Sequence, residues 1–152
     1  FRDISPILRS PSAMTSMLNQ LGDFSDRLMP DCIVGIESRG FIIGTALATR
    51  QRMGFVPIRK KGKLPGDIVG VNYSLEYGED RLEMQSNVFT KGTRVLLVDD
   101  LLATGGTVKA ASELISNVGG RLVGCAFVIE LLGLNGRDII PDVPIKSLVS
   151  YD

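Results

Sequence analysis

The chain has 152 residues, 44% of them hydrophobic, and its 17 basic residues balance its 17 acidic residues. This composition predicts one soluble, compact domain, and the zero net charge argues against nucleic acid or an acidic membrane surface as a partner. The chain has no histidine, which excludes Ser-His-Asp and Cys-His catalysis, and no apolar run approaches the ~20 residues of a transmembrane helix.

The first half of the chain predicts helices that alternate with strands. Residues 3–20 predict an N-terminal helix that Pro11 interrupts. The apolar run 32–37 predicts a buried strand, and residues 41–53 predict a helix that ends at Gly54. A second strand is expected over residues 55–58.

A basic segment rich in glycine and proline follows, over residues 59–70, and it has no periodic pattern. Residues 71–85 alternate weakly between apolar and polar side chains, which favours a hairpin with its turn at residues 77–80.

The second half predicts a strand over residues 94–98, an acidic pair, a small-residue loop and then a helix. The apolar face of that helix comprises Val108, Ala111, Leu114, Ile115 and Val118. Further strands are expected over residues 121–132 and 145–149. This alternation predicts right-handed βαβ units, and therefore a mostly parallel α/β sheet with helices on both faces.

The run from Val95 to Thr107 is the most specific feature of the sequence, because an apolar strand, Asp99-Asp100 and a glycine-containing loop follow one another directly. A loop at a helix N-terminus directs backbone N–H groups and the positive end of the helix dipole at an anion. The two carboxylates suit the hydroxyls of a sugar, or a magnesium ion beside it. The run therefore indicates a phosphorylated sugar, with a simple helix-capping role for the aspartates as the alternative.

Three strand ends are expected to meet at one crevice, because ligands of such sheets bind beyond the carboxyl ends of the strands. They are residues 37–40, the basic residues from Arg59, and the acidic pair with its loop. The alternative for the basic segment is a solvated loop. Cys32 and Cys125 lie in apolar runs, which favours buried free thiols in a reducing cytoplasm and argues against a metal site built by the protein.

Five motifs resemble those of the type I phosphoribosyltransferases, and together they resemble the adenine branch of that family. They are residues 1–6, 35–41, 59–66, 73–78 and 99–107. The resemblance implies transfer from 5-phosphoribosyl-1-pyrophosphate (PRPP) to adenine, giving AMP and pyrophosphate, with Mg²⁺ bound mainly through the substrate. It also implies one domain over residues 1–152, a flexible lid hairpin, a small N-terminal hood and a homodimer.

The resemblance also implies a role for each motif residue. The 5′-phosphate is assigned to Ala103, Thr104, Gly105, Gly106 and Thr107, and the ribose hydroxyls are assigned to Asp99 and Asp100. Pyrophosphate is assigned to Glu37, Ser38, Arg39, Gly40, Arg59, Lys60 and Lys63, and in this family the partner subunit can supply some of these cations. No direct protein ligand to the metal is assigned.

The adenine pocket is assigned to Phe1, to the main chain of Arg2, and to Leu101 or Leu102 beside the base. Glu76 on the lid is expected to act on the imidazole edge of the purine, although an acidic residue in a strand can simply face water. Family members carry a further N-terminal segment that helps to wall this pocket, and we expect such residues to precede Phe1. Two other functions stay open at this point: a non-catalytic sensor of PRPP or a nucleotide, and a transferase for another nucleobase.

Overall fold

Short apolar strands and amphipathic helices alternate along the chain, as the sequence pattern predicts. The computed structural model describes residues 2–152. The strands are β1 (Cys32–Ile36), β2 (Gly54–Lys60), β3 (Ile68–Leu75), β4 (Gly78–Gln85), β5 (Thr93–Leu102), β6 (Gly120–Leu131) and β7 (Ile145–Tyr151). The helices are α1 (Ser5–Arg9), α2 (Pro11–Leu28), α3 (Arg39–Gln51) and α4 (Gly106–Asn117), and two short 3-10 turns follow at Leu132–Leu134 and Gly136–Ile139.

All seven strands form one sheet in the order β3-β4-β2-β1-β5-β6-β7. Strands β2, β1, β5, β6 and β7 pair with one another in parallel, whereas β3 and β4 form an antiparallel hairpin whose β4 also pairs antiparallel with β2. The hairpin joins the sheet where Arg59 and Lys60 pair with Glu83 and Leu82. The predicted mostly parallel α/β sheet is therefore confirmed, and the carboxyl ends of β1, β2 and β5 lie side by side.

Side chains from successive strand residues enter two separate cores, one on each face of the sheet. Val34 and Leu97 pack with the apolar face of α4, and Ile33 and Leu96 pack with α2 and α3. The central strands are buried on both faces, which explains why they read as continuous apolar runs.

The predicted break at Pro11 is confirmed. Helix α1 ends at Arg9, and the Ser10 hydroxyl caps the next helix by accepting a hydrogen bond from the Ala13 N–H at 3.3 Å. Helix α2 then continues eight residues past the predicted end at residue 20, because Leu21 and Phe24 are buried against the sheet. No helix in residues 2–152 is both long and apolar enough to span a membrane.

The predicted end of β5 and the predicted hairpin turn are also wrong. Strand β5 does not end at Val98 but continues to Leu102, because Asp99 and Leu101 still pair with β6. The hairpin turn lies at residues 76–77 rather than 77–80, because Gly78 already pairs with Leu75. Gly78 has a φ of 120°, a conformation that favours glycine at the start of the returning strand.

Candidate active site

The carboxyl ends of β1, β2 and β5 border two adjoining cavities, of about 190 Å³ and 420 Å³. The smaller cavity is lined by Arg39, Asp99, Asp100, Leu101 and residues 103–108. The larger cavity is lined by Ile36, Glu37, Ser38, Arg39, Lys60, Lys63, Asp99, Asp100 and Thr107. The acidic pair and Arg39 line both cavities, so they mark the boundary between them.

The smaller cavity lies at the N-terminus of α4. Gly105 is the N-cap of this helix and has a φ of 86°, and its backbone carbonyl accepts a hydrogen bond from the Lys109 N–H at 2.8 Å. The N–H groups of a helix's first turn lack partners within the helix, so they are available to an anion. The loop from Ala103 to Thr107 thus has the geometry of an oxyanion or phosphate cradle.

The acidic pair is held in place by contacts with α3. Asp100 is 4% exposed and accepts a hydrogen bond from the Arg39 Nε, and its own N–H donates to the Asp99 Oδ1 at 2.8 Å. A Cβ on Gly40 would lie 2.9 Å from the Asp99 Oδ1, so only glycine lets α3 approach this closely. Burial first, and the neighbouring Asp100 charge second, raise the pKa of Asp99.

Glu37, at the end of β1, holds the basic segment in place. Its Oε1 accepts hydrogen bonds from the Lys63 Nζ at 2.6 Å and the Arg59 Nη2 at 3.2 Å, and its Oε2 accepts one from the Lys60 N–H at 2.7 Å. Burial alone would raise the pKa of Glu37, but these hydrogen bonds outweigh it and lower the pKa to about 2. Glu37 therefore stays ionised and fixes three basic residues at the larger cavity.

The Lys60 side chain connects the larger cavity to the hairpin. Its Nζ donates to the Tyr73 hydroxyl at 2.8 Å and also to the Asp80 Oδ2. Tyr73 and Asp80 stand opposite one another on β3 and β4. One cation of the cavity is thus bound to both strands of the segment that the sequence assigns to a lid.

No sequence motif assigns a role to Tyr73, to Asp80 or to the buried Glu83, whose Oε1 accepts a hydrogen bond from the Gly62 N–H at 2.5 Å. The register of a predicted hairpin could have indicated that Tyr73 and Asp80 lie opposite one another. That both contact Lys60 on β2 follows only from the tertiary structure.

Only some of the residues assigned to the adenine pocket line the cleft. Leu101 lines the smaller cavity, but the Leu102 side chain is fully buried in the core beneath α4. We therefore withdraw Leu102 as a side-chain contact to the base, because the strand alternation directs it away from the cleft. The Arg2 guanidinium lies 3.9 Å from the centre of the Tyr151 ring at the end of β7. Phe1 lies outside the described residues.

Glu76 occupies the exposed turn of the hairpin and does not line either cavity. The neighbouring part of β3 nevertheless reaches the N-terminus of α4, because Ser74 and Gly106 line a common cavity of about 320 Å³. The hairpin therefore lies beside the phosphate cradle, with Glu76 two residues beyond Ser74.

An anion cradle, an acidic pair and a group of cations at one edge of a parallel sheet are the features of an α/β protein whose site suits a phosphorylated sugar. Residues 9–149 match the phosphoribosyl transferase domain, so the chain belongs to the phosphoribosyl transferase family. Within the family it groups with the adenine phosphoribosyltransferases, as the following similarities show.

A curated adenine phosphoribosyltransferase from Prochlorococcus marinus (strain MIT 9313) is 61% identical, over 99% of this chain and 88% of the relative. The crystal structure of the adenine phosphoribosyltransferase from Thermoanaerobacter pseudethanolicus ATCC 33223 superposes with a TM-score of 0.96 at 40% identity, covering 99% of this chain and 88% of that one.

The Saccharomyces cerevisiae adenine phosphoribosyltransferase, solved with an imino-altritol bisphosphate and adenine, gives a TM-score of 0.93 at 39% identity, covering 97% of this chain and 86% of that one. The resemblance that the sequence motifs predict is confirmed.

The ion pairs of Glu37 lead to a prediction about acid stability. The pKa of Glu37 lies below its ordinary value of 4.5, so the carboxylate stabilises the fold above about pH 4.5 and this stabilisation disappears as the pH falls towards 2. The difference in unfolding free energy between the unaltered chain and Glu37→Gln should be on the order of 3 kcal/mol at neutral pH and should shrink below pH 4.5. Urea unfolding at a series of pH values measures it.

The matched control is Glu113→Gln, which removes an exposed carboxylate from α4. Its effect on unfolding should be small at every pH, because exposed charges contribute little to stability. The prediction would be contradicted if the difference in unfolding free energy caused by Glu37→Gln stayed constant from about pH 5 to about pH 3, on either side of the ordinary glutamate pKa.

Proposed function

We propose that this chain is a purine-salvage transferase that converts adenine and PRPP to AMP and pyrophosphate. The observation that carries the proposal is the pair of adjoining cavities, with an anion cradle in one, cations around the other and Asp99-Asp100 at their boundary. The shared family, and a yeast relative solved with adenine, support adenine as the acceptor.

In this proposal the 5′-phosphate binds the cradle of Ala103 to Thr107, and the ribose hydroxyls bind Asp99 and Asp100. The diphosphate takes the larger cavity, which Lys60 and Lys63 line. Glu37, Ser38 and Arg39 line this cavity as well. Gly40 and Arg59 support it, because Gly40 follows Arg39 in the chain and Arg59 donates a hydrogen bond to Glu37. This placement puts each charged part of PRPP against groups of complementary charge or hydrogen-bonding type.

The reaction breaks the bond between ribose C1 and the diphosphate oxygen, which keeps the electron pair. A purine nitrogen forms the new bond to C1, and the proton of the imidazole ring passes to Glu76, in the role proposed for that residue, and from there to water. Positive charge develops on the ribose in this step, and negative charge develops on the leaving diphosphate. The carboxylates at the cavity boundary stabilise the first charge and the cations stabilise the second, and such preorganised charge is usually the largest contribution to catalysis.

The cations are already in position before any substrate binds. Arg39 pairs with Asp100, Lys63 and Arg59 pair with Glu37, and Lys60 pairs with Asp80. Each side chain can therefore exchange or share a carboxylate partner with a diphosphate oxygen, and it need not be ordered from solution. This lowers the entropic cost of ordering these side chains when the substrate binds.

We further propose that Mg²⁺ accompanies the substrate. The site suits this ion because Asp99 and Asp100 present hard oxygen atoms beside the cavity assigned to the diphosphate, and Mg²⁺ prefers substrate phosphates combined with one or two carboxylates. When bound, the ion would neutralise charge on the leaving diphosphate. The protein residues bind the sugar and phosphates and exclude water.

Three broader proposals complete this view. All 152 residues would form one domain, since every strand belongs to a single sheet. A cytoplasmic location fits Cys32 and Cys125, which are both free and buried. A homodimer, with some cations acting across the interface, is proposed from the family resemblance, and light scattering of the purified chain would test it.

The base preference tests the reaction itself. We expect pyrophosphate release with adenine, and little with hypoxanthine, guanine or orotate, and we expect a chelator of divalent cations to abolish the release. Preference for a different base would reassign the acceptor. Binding of PRPP without turnover on any base would favour a non-catalytic sensor.

Asp100→Ala should lower kcat about 100-fold or more, because it removes a preorganised carboxylate beside the ribose and the hydrogen bond that this carboxylate accepts from Arg39. Steady-state AMP formation at saturating substrates measures the loss. The control is Asp142→Ala, which removes an exposed aspartate from the loop before β7 and should leave kcat unchanged. Turnover by Asp100→Ala close to that of the unaltered chain would remove Asp100 from the mechanism.

Glu76→Gln should reduce kcat more than it raises the KM for PRPP, because the proposed role of Glu76 is at the base during bond formation. Glu79→Gln, three residues later on β4 and also exposed, provides the control. Initial rates over a matrix of PRPP and adenine concentrations separate the two constants. An effect confined to the KM for PRPP would reassign Glu76 to substrate binding.

A further inference from the structure

The segment between β6 and β7 supports the phosphate cradle from behind. A Cβ on Gly105 would lie 2.4 Å from the Gly136 carbonyl oxygen, and a Cβ on Gly136 would lie 2.3 Å from the Ala103 carbonyl oxygen. The two backbones are thus in direct contact, and only glycines allow it. The position of the cradle therefore depends on where the Gly136–Ile139 turn lies.

An ion pair fixes that turn to the sheet. The Arg137 Nε donates to the Glu130 Oε1 at 2.6 Å, and the Arg137 Nη2 donates to the Glu130 Oε2 at 2.6 Å. This is the bidentate geometry that makes arginine–carboxylate pairs both strong and directional. Glu130 is only 3% exposed, so its carboxylate depends on this partner for charge compensation.

The same ion pair is connected to the other end of the cradle through the sheet. Glu130 pairs with Leu102 in the register between β6 and β5, and Leu102 immediately precedes Ala103. One connection therefore runs from Glu130 across the strands to the start of the cradle. The other runs through Arg137 and Gly136 to Gly105.

We propose that Glu130 and Arg137 are positioning residues for the 5′-phosphate: their ion pair holds the Gly136 turn beneath the cradle and so aims its N–H groups at the phosphate. Neither residue lines the two cavities that form the candidate active site. The inference rests on the proposed placement of the 5′-phosphate in the cradle of residues 103–107.

The test substitutes Arg137→Gln and measures the binding of ribose 5-phosphate by calorimetry, because this compound carries the phosphate but no diphosphate. We expect its Kd, and the KM for PRPP, to rise about 10-fold, since small displacements of a positioning group weaken binding strongly. The kcat should stay nearly constant, because phosphate contacts are made in the ground state and the transition state alike. Binding of inorganic pyrophosphate should not change.

Two conservative variants keep the test informative if Arg137→Gln fails to fold. Arg137→Lys retains the charge but not the bidentate geometry. Its Kd for ribose 5-phosphate should therefore lie between that of the unaltered chain and that of Arg137→Gln. Glu130→Gln retains the shape and should shift the Kd in the same direction as Arg137→Gln. The control is Arg94→Gln, which removes an arginine that donates to the Met29 and Leu28 carbonyls near the opposite ends of the strands.

Arg94→Gln should lower the thermal unfolding midpoint without changing the Kd for ribose 5-phosphate. Unchanged ribose 5-phosphate binding in all three variants at the ion pair would overturn the proposal. Equal weakening for pyrophosphate would overturn it as well, since that would indicate a general disturbance of the cleft. Failure of the proposed function gives a different result from failure of this inference. If the proposed function is wrong, the unaltered chain forms no AMP, whereas ribose 5-phosphate binding can still be compared between the unaltered chain and the variants.

Discussion

Buried carboxylates at the carboxyl edge of the sheet constrain most of the site. Glu37 at the end of β1 and Asp100 near the end of β5 have little contact with solvent, and a buried charge is stable only with a partner of opposite charge. Each therefore pairs with cations from other elements. Asp100 pairs with Arg39 at the start of α3, and Glu37 pairs with Arg59 near the end of β2 and with Lys63 in the segment after it. The ion pairs that compensate these carboxylates also hold the cationic side chains of Arg39 and Lys63 at the larger cavity.

The second constraint is close backbone approach at glycine. In the buried strand β1, a Cβ on Gly35 would lie 2.8 Å from the Gly40 carbonyl oxygen, and a Cβ on Gly40 would lie 2.9 Å from the Asp99 Oδ1. Gly105 and Gly136 bring the cradle and its supporting turn together in the same way. The absence of side chains at these four positions lets the start of α3, the end of β5 and the start of α4 share one small volume.

Local patterns predicted the sheet and its helices, because alternation and apolar runs report which residues are buried. They failed at Leu101 and Leu102, where pairing with β6 extends β5 beyond its acidic pair. They also gave no sign that Asp80 and Tyr73 hold Lys60, or that Glu130 holds Arg137, since these contacts join elements that are separate in sequence. The convergence of three strand ends followed from the parallel topology, whereas the role of each residue followed from the family resemblance.

Lys60 gives these constraints a consequence for the proposed reaction. It ends β2, lines the larger cavity and binds Tyr73 and Asp80 on the hairpin that carries Glu76. A diphosphate in that cavity approaches the same ammonium group, whose three donors can serve Tyr73, Asp80 and one diphosphate oxygen together. Under the proposed function, Lys60 therefore connects the diphosphate directly to the hairpin. Glu76, the residue proposed to act on the base, lies in the turn of that hairpin, so the two halves of the site are physically linked through one side chain.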